Sequence, residues 1–231
     1  MLCVSVKSGN VEEICDITTK YPFVEVRLDD FRFSPAELRR IFSKCTCIAT
    51  CRNSIISDNE KVDLLISAMD FGAGVVDIEI DFPLKERLLE HAAKRNVEVI
   101  ASVHYLNGEP ETDEIIRLAK IAKSMNAKYF KVVCRVDSPE KAASVLYLYM
   151  EPKLIELFDG NMIALPMGKD VGYQRFMALN MGAPFIYTAI DEEHATAEGQ
   201  TTYEVAEKWL KDKIEHDHEH HHHDEDVRCS R

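Results

Sequence analysis

The chain has 231 residues, of which 46% are hydrophobic and 29% are charged, and this favours one water-soluble domain. Its formal net charge of −12 argues against nucleic acid as a partner, because phosphate binding needs a basic face. No apolar run reaches the length of about 18 residues that a membrane span needs, and the N-terminus lacks the features of a signal peptide. We therefore expect a cytoplasmic protein with no membrane partner.

Eight strand-like runs alternate with helical patterns along the chain. The strand-like runs are rich in β-branched and aromatic residues and cover residues 2–6, 23–28, 46–51, 75–80, 97–103, 129–134, 162–167 and 185–190. Helical patterns cover residues 59–70, 83–95, 111–125 and 139–148, and shorter ones follow Gly172 and Thr202. A further helix begins near Ser34, because Ser34-Pro35-Ala36-Glu37 offers an N-cap, a proline at the first helical position and an acid in the first turn.

This order of elements predicts a fold of the α/β class. Strict alternation of strand and helix is typical of a parallel sheet with right-handed crossovers. Eight such units in a single domain predict a (β/α)8 TIM barrel. A doubly wound open sheet is the alternative, but its glycine-rich phosphate loop is missing, because Gly72-Ala73-Gly74 precedes a strand and lacks the third glycine.

The C-terminal segment 215–231 differs from the rest, since it holds six of the nine histidines among many acids. Low-complexity sequence of this kind is typical of disorder, so we expect a barrel over residues 1–214 and a disordered tail after it. A His/Asp tract can bind divalent metal weakly, but imidazoles in a mobile segment enforce no coordination geometry. We therefore predict no dedicated metal site in the tail.

The seven cysteines include no Cys-x-x-Cys pair, and most lie in apolar runs. This pattern is typical of reduced, buried thiols in a cytosolic protein. Cys45, Cys47 and Cys51 are close in sequence, but residues along a strand alternate faces and offer no tetrahedral cage. We predict no metal site there.

Lys131 lies inside the strand-like run Tyr-Phe-Lys-Val-Val-Cys (129–134). Lysine is rarely buried unless its charge is compensated, and a desolvated amine becomes a nucleophile towards carbonyl carbon. One strand earlier, His104 ends a strand-like run, and histidine is the usual proton-transfer residue near neutral pH. A simpler interpretation is that Lys131 lies on an edge strand with its ammonium in water. The charged residues that accompany Lys131 and His104 on other strands argue against it.

Charged residues also recur at every second position of two predicted strands. Residues 25, 27 and 29 form one such set (Glu, Arg, Asp) and residues 77, 79 and 81 form another (Asp, Glu, Asp). Since side chains alternate along a strand, each set shares one face. Solvent exposure on an open sheet would explain them singly. Together with Arg52, they favour a polar barrel axis near the C-terminal strand ends, where barrels place their chemistry.

In order and spacing, these segments resemble the type I 3-dehydroquinate dehydratases, the Schiff-base lyases of the shikimate pathway. The resemblance runs from the first strand to Gln200. It consists of Val-Glu-Val-Arg-Leu-Asp (24–29), Ala-Thr-Cys-Arg (49–52), Asp-Ile-Glu (77–79), Ser-Val-His (102–104), Phe-Lys-Val (130–132), Pro-Met-Gly-Lys…Arg (166–175) and Ala-Glu-Gly-Gln (197–200).

The resemblance implies dehydration of 3-dehydroquinate to 3-dehydroshikimate, in chorismate and aromatic amino acid biosynthesis. Lys131 matches the imine-forming lysine and His104 the general acid/base. The remaining matches are to substrate-binding positions: Glu25, Arg27, Arg52, Met167, Arg175, Tyr187, Thr196 and Gln200. The resemblance further implies a small-molecule substrate, no metal or organic cofactor, and a homodimer, since relatives are commonly dimers.

The sequence departs from the family pattern in two loops. Many relatives follow the Arg52 position with an acid that orients the histidine, whereas this chain has Asn53, and Glu79 is our candidate for that role. In the last loop Glu198 replaces a frequent proline.

Two alternatives remain at this point. Another barrel lyase or aldolase, possibly metal-dependent, would use Glu25, Asp77, Glu79 and His104 as ligands. A catalytically idle metal-binding protein would depend on its His-rich tail. Deletion of residues 215–231 distinguishes the tail hypothesis from the enzyme hypothesis.

Overall fold

The structure is a computed structural model that describes residues 1–30, 32–44, 46–52 and 55–228, and for residues 218–228 it describes the backbone alone. Cys45, Asn53, Cys229 and the end of the predicted tail lie outside the described residues.

Eight parallel strands form a nearly closed barrel, which confirms the predicted (β/α)8 TIM barrel. The strands are β1 (Leu2–Val6), β2 (Phe23–Arg27), β3 (Thr46–Thr50), β4 (Val75–Glu79), β5 (Glu98–Tyr105), β6 (Tyr129–Arg135), β7 (Met162–Met167) and β8 (Ile186–Thr188). Each strand pairs in parallel with its neighbour in the order β7-β6-β5-β4-β3-β2-β1-β8. All eight predicted strands are present, and their ends differ from the prediction by at most two residues.

Helices connect the strands and cover the outside of the barrel. They are α1 (Val11–Lys20), α2 (Pro35–Phe42), α3 (Asp58–Asp70), α4 (Lys85–Arg95), α5 (Thr112–Ser124), α6 (Ala142–Leu146), α7 (Pro152–Phe158), α8 (Gly172–Met181) and α9 (Tyr203–Arg228). Helix α2 begins with a capping box, in which Ser34 and Glu37 bond reciprocally, as the sequence predicts.

Two helices were not predicted. Helix α1 begins at an N-cap, Asn10, whose side chain accepts from the backbone N–H of Glu13. Helix α7 follows a segment, residues 139–148, that the sequence predicts as one helix. In the structure this segment is the short α6 flanked by two 3₁₀ turns, Pro139–Lys141 and Tyr147–Met150. Prolines at 139 and 152 start new helical segments, because proline is favoured in the first turn.

The strands separate an apolar layer from a polar interior. Residues such as Val24, Val76 and Val132 are fully buried and alternate with the polar residues of the same strands. Helix side chains such as Leu88 and Ile115 are also fully buried and belong to the same apolar cluster. This packing makes the barrel rigid and leaves its axis free for polar groups.

Helix α9 extends to Arg228, so its backbone runs through most of the predicted tail. Residues 229–231 lie outside the described residues. The division into a barrel over 1–214 and a separate tail otherwise stays a prediction.

Among the described residues, no helix has the length and apolar character that crossing a membrane requires. Five cysteines, at positions 3, 15, 47, 51 and 134, are buried, as predicted for them.

Candidate active site

Glu25 lies in the barrel interior and is held by two hydroxyl groups. Ser5 Oγ donates to Glu25 Oε1 at 2.6 Å, and Thr50 Oγ1 donates to Glu25 Oε2 at 2.9 Å. These contacts follow from the strand order, because β1 and β3 flank β2 and Ser5 is the register partner of Glu25. Both carboxylate oxygens are engaged, so Glu25 is a fixed acceptor in the site.

Arg52 lies just after β3 and joins residues of the next two strands. Its Nη2 donates to Asp77 Oδ2 at 2.7 Å, and its Nη1 donates to Glu79 Oε1 at 3.3 Å and to Ser102 Oγ at 3.1 Å. Ser102 Oγ in turn donates to Asp77 Oδ1 at 2.6 Å. Burial alone would raise the pKa of Asp77, but the cations of Arg52 and Lys131 outweigh it and lower that pKa, so Asp77 is an anion.

Lys131 projects from β6 into the interior, where its side chain is 7% exposed. Its Nζ lies 3.8 Å from Asp77 Oδ2 and 4.0 Å from the centre of the Tyr187 ring. Burial and the cations of Arg52 and Arg175 lower the pKa of the amine to about 8, against the opposing effect of Asp77. Roughly a tenth of the amine is therefore unprotonated at pH 7, in the form that attacks carbonyl carbon.

His104 lies on β5, two residues beyond Ser102, and Ser102 is the register partner of Lys131. The imidazole therefore shares a face with Ser102 and lies nearer the mouth than the amine. Burial and four cations lower the pKa of His104 far below its usual range: Arg52, Lys131, Arg27 and Arg175. The ring is neutral at pH 7 and can accept a proton. Glu79, our candidate for orienting it, accepts a hydrogen bond from Arg52, and its role towards His104 stays a prediction.

Arg175, in α8, is a buried cation with unused donor capacity. The residue is 3% exposed, its Nη1 donates to the carbonyl oxygen of Pro166 at 2.9 Å, and its Nε has no hydrogen-bond partner within the described residues. Burial lowers the pKa of Arg175 to about 10. A buried guanidinium is costly without an anion, so this position suits a carboxylate, which arginine can bind in bidentate fashion.

The loop between β8 and α9 closes over the mouth. Thr196 Oγ1 donates to Ser5 Oγ at 2.7 Å, and the backbone N–H of Thr196 donates to Gln200 Oε1 at 2.9 Å. Arg27, at the end of β2, donates from Nη1 to the carbonyl oxygen of Thr196 at 3.2 Å. These bonds place the loop residues Thr196 and Gln200 beside the strands that carry Glu25 and Arg27.

Two further contacts hold this loop on the opposite side of the mouth. The backbone N–H of Gly168 donates to the carbonyl oxygen of Glu198 at 3.3 Å, and Glu198 Oε2 accepts from Arg135 Nη1 at 2.5 Å. Gly199 has φ of +87°, and a Cβ there would collide with the carbonyl oxygen of Gly168. The glycine is therefore needed for the close approach of the two loops.

Met167 and Tyr187 are the apolar members of the predicted set. Met167 ends β7 and is 7% exposed, while Tyr187 on β8 is 2% exposed. The Tyr187 ring covers the Lys131 amine, and its hydroxyl has no hydrogen-bond partner within the described residues. Burial raises the pKa of Tyr187 well above its usual value, so the hydroxyl is neutral.

Of the ten predicted site residues, six lie on barrel strands, three in the loops that follow strands and one, Arg175, in α8, and their roles stay predictions. The sequence analysis missed the importance of Asp77, which lies between Arg52 and Lys131. A signal was available, because Asp77 follows Val75 and Val76 in an apolar strand, and an acid is rarely buried unless it is paired.

Three of the ligands that the metal-dependent alternative would use, Glu25, Asp77 and Glu79, are engaged with other protein groups. Among the described residues, no group of three or more His, Cys, Asp or Glu side chains could hold a metal ion. Glu25 accepts from Ser5 and Thr50, and Asp77 accepts from Arg52. The arrangement therefore offers an amine, a neutral imidazole and a guanidinium that can bind a carboxylate. Together these groups suit imine chemistry on a substrate that carries both a ketone and a carboxylate.

Comparisons with known proteins agree in sequence and in structure. A family model described as type I 3-dehydroquinase matches residues 2–216. The 3-dehydroquinate dehydratase of Methanococcus maripaludis strain C7 is 29% identical over 229 residues, which cover 91% of this chain and 99% of that protein. The 3-dehydroquinate dehydratase of Pyrococcus abyssi is 26% identical over 194 residues, which cover 81% of this chain and 85% of that protein.

Solved structures share the fold. The 3-dehydroquinate dehydratase from Geobacillus kaustophilus superposes with a TM-score of 0.76 at 18% identity, covering 91% of this chain and 89% of that one. A type I 3-dehydroquinate dehydratase from Clostridium difficile, solved with covalently modified comenic acid, gives 0.76 at 17% identity, covering 91% and 90%. At these identities the likeness confirms the barrel architecture.

Proposed function

The chain belongs to the type I 3-dehydroquinase family, an enzyme family of the shikimate pathway, and we propose that it dehydrates 3-dehydroquinate to 3-dehydroshikimate through an imine on Lys131. The observation that carries this proposal is the buried amine, whose pKa is lowered to about 8. A free amine that projects from a strand into the barrel interior is the group that imine formation needs.

The first step joins the enzyme to its substrate. The unprotonated Nζ of Lys131 attacks the C3 ketone of 3-dehydroquinate, and loss of water leaves a protonated imine. This iminium withdraws electrons and acidifies the adjacent C2 proton. The face of the Tyr187 ring, 4.0 Å from Nζ, stabilises the positive charge before and after the bond forms.

His104 moves the proton in the second step. The neutral imidazole removes the C2 proton, and the resulting imidazolium returns it to the departing C1 hydroxyl, which leaves as water. General acid/base help of this kind contributes about 10²–10⁴-fold. Hydrolysis of the imine by water then releases 3-dehydroshikimate and restores the amine.

The remaining residues hold the substrate in one orientation. Arg175 binds the carboxylate through the donors that it does not use on Pro166. Glu25, Arg27 and Arg52 take the ring and its hydroxyls, with Met167 as an apolar wall. Thr196 and Gln200 add contacts from the closing loop, which excludes water from the iminium.

We also propose that the enzyme is cytoplasmic and works as a homodimer. The buried free thiols of Cys15, Cys51 and Cys134 support a reducing compartment, where disulfides are rare. Light scattering on purified protein measures its molar mass in solution. A mass equal to that of a single chain would contradict the dimer.

Turnover is tested by adding 3-dehydroquinate and following the absorbance of the conjugated enoate of the product. Wild type is expected to produce it without added metal or cofactor. His104→Ala is expected to lose nearly all turnover while it still forms the imine, which borohydride traps as added mass. Unimpaired turnover by this variant would remove the histidine from the mechanism.

A further inference from the structure

The barrel has a seam between β7 and β8. Within the described residues, ladders join β7 to β6 and β8 to β1, and none joins β7 to β8. Odd-numbered residues along β7 bond towards β6, since Phe130 N–H donates to the Asn161 carbonyl at 3.1 Å and Val136 N–H donates to the Met167 carbonyl at 2.8 Å. The even-numbered residues therefore turn their backbone groups towards the seam.

Side chains take the place of the missing strand partner on this edge of β7. The Tyr149 hydroxyl donates to the carbonyl oxygen of Ala164 at 2.8 Å and accepts from the N–H of the same residue at 2.7 Å. Two residues further on, Pro166 has no N–H, and its carbonyl oxygen accepts from Arg175 Nη1 at 2.9 Å. Buried backbone groups need partners, and a hydroxyl can donate and accept at once.

We propose that Tyr149 is a positioning residue for Arg175, and through it for the carboxylate of the substrate. Tyr149 fixes Ala164 on the seam edge, and Ala164 is two residues from Pro166, whose carbonyl holds the guanidinium. This inference rests on the proposed function, which assigns Arg175 to the carboxylate.

The surroundings of Tyr149 suit a fixed support. Tyr149 is 8% exposed, and it lies in the 3₁₀ turn Tyr147–Met150, outside the set of residues that carry the chemistry. Burial raises the pKa of Tyr149, so its hydroxyl keeps the proton that it donates. Arginine grips a carboxylate through two parallel bonds, and a small displacement of its fork therefore weakens binding of the substrate more than the chemistry at Lys131.

A double-mutant cycle on Tyr149→Phe and Arg175→Lys tests this role. Tyr149→Phe removes both bonds to Ala164 and keeps the ring. In the wild-type background we expect it to raise KM for 3-dehydroquinate about tenfold and to change kcat by less than about threefold. In the Arg175→Lys background it should change KM by less than about twofold, because the lysine no longer depends on the position of the Pro166 carbonyl. If Arg175→Lys turns over too slowly for KM to be measured, the dissociation constant of 3-dehydroshikimate, measured by calorimetry on all four proteins, replaces KM in the cycle.

Leu88→Ala is the control for lost stability alone. Leu88 is fully buried in α4, away from the seam, so its truncation should lower the midpoint of urea unfolding and leave KM unchanged. If Tyr149→Phe unfolds under assay conditions, all variants are assayed in trimethylamine N-oxide, which favours the compact state.

The outcomes separate this inference from the proposed function. Equal KM effects of Tyr149→Phe in both backgrounds, or no KM effect at all, would contradict the positioning role while wild type still turns over 3-dehydroquinate. Failure of wild type to turn over 3-dehydroquinate would overturn the proposed function, and this inference with it.

Discussion

Burial among cations changes the protonation of Lys131 and His104 in the same direction. Both groups are easier to deprotonate than in water, because burial and the surrounding arginines disfavour a further positive charge. At neutral pH part of the Lys131 amine and most of the His104 imidazole are therefore unprotonated, and the proposed imine chemistry uses these forms. The anion Asp77 limits this effect, since it lies near both Arg52 and Lys131.

The pH dependence of kcat/KM should follow the Lys131 amine. With a pKa of about 8, the amine is mostly protonated below that pH, so kcat/KM should fall about tenfold per pH unit from pH 7.5 downward. Because the pKa of His104 lies far below its usual range, no second fall should appear between pH 6 and 7. Initial rates at low substrate measure this profile, and a flat profile from pH 6 to 9 would contradict it.

Asp77→Ala should destabilise the protein strongly. The Asp77 side chain is fully buried and compensates Arg52 at 2.7 Å, so its removal leaves Arg52 with only the longer ion pair to Glu79, at 3.3 Å. Breaking a buried pair in this way costs about 3–5 kcal/mol of unfolding free energy, measured by urea denaturation.

Asp137→Ala is the matched control for Asp77→Ala. Asp137 also pairs with a cation, Lys141, but both side chains are largely exposed to solvent. We expect no measurable change in its unfolding midpoint. Equal unfolding midpoints for the two variants would contradict the view that Asp77 compensates buried charge.

At the scale of elements, the loop between β8 and α9 depends on close backbone contact. Gly199→Ala would place a methyl group against the Gly168 carbonyl oxygen, so we expect KM to rise several-fold as the loop loses its closed position. Gly160→Ala is the control, because Gly160 also has positive φ, at +71°, but meets no atom within 4 Å. Steady-state kinetics on both variants compare them, and equal KM values would contradict a role for this contact in closure.

The order of elements could be predicted from the sequence, because eight apolar runs and the Ser34 cap are local signals. The helices at Val11–Lys20 and Pro152–Phe158 were missed, since α1 is amphipathic with few large apolar residues and α7 follows closely on other helical turns. Lys131 and His104 were predicted as site residues because their strand positions are unusual for a lysine and a histidine.

The partners of these residues could not be predicted in the same way. That Arg52 joins Asp77, Glu79 and Ser102 depends on the register of three strands. The contact of Tyr149 with Ala164 depends on the gap between β7 and β8, which no local pattern encodes. Long-range pairing of this kind is set by packing rather than by propensity.

At the scale of the whole molecule, the first part of α9 belongs to the barrel. Ala206 is fully buried, the Trp209 ring lies 5.2 Å from the rings of Tyr173 and Phe176, and the Tyr203 ring lies 4.8 Å from that of Tyr21. Residues 215–217, by contrast, are exposed. The helix thus has a packed half and a half that extends from the barrel.

Truncation of the chain should distinguish these halves. Removal of residues 215–231 should leave kcat/KM within about twofold and the unfolding midpoint unchanged, because the buried and aromatic contacts of α9 with the barrel come from residues 203–209. Removal from residue 203 onward deletes the buried aromatic contacts and should lower stability severely. Lost turnover in the shorter deletion would favour the alternative in which the His-rich segment carries the function.

We propose that the Lys131 amine bonds covalently to the ketone of the substrate. Wild-type protein is incubated with 3-dehydroquinate and borohydride, and the labelled peptide is mapped by mass spectrometry beside Lys131→Ala and Lys128→Ala. We predict added mass on Lys131 in wild type and in Lys128→Ala, and none in Lys131→Ala. Absence of any adduct on a wild-type enzyme that is turning over substrate, or an adduct on another lysine, would contradict the account.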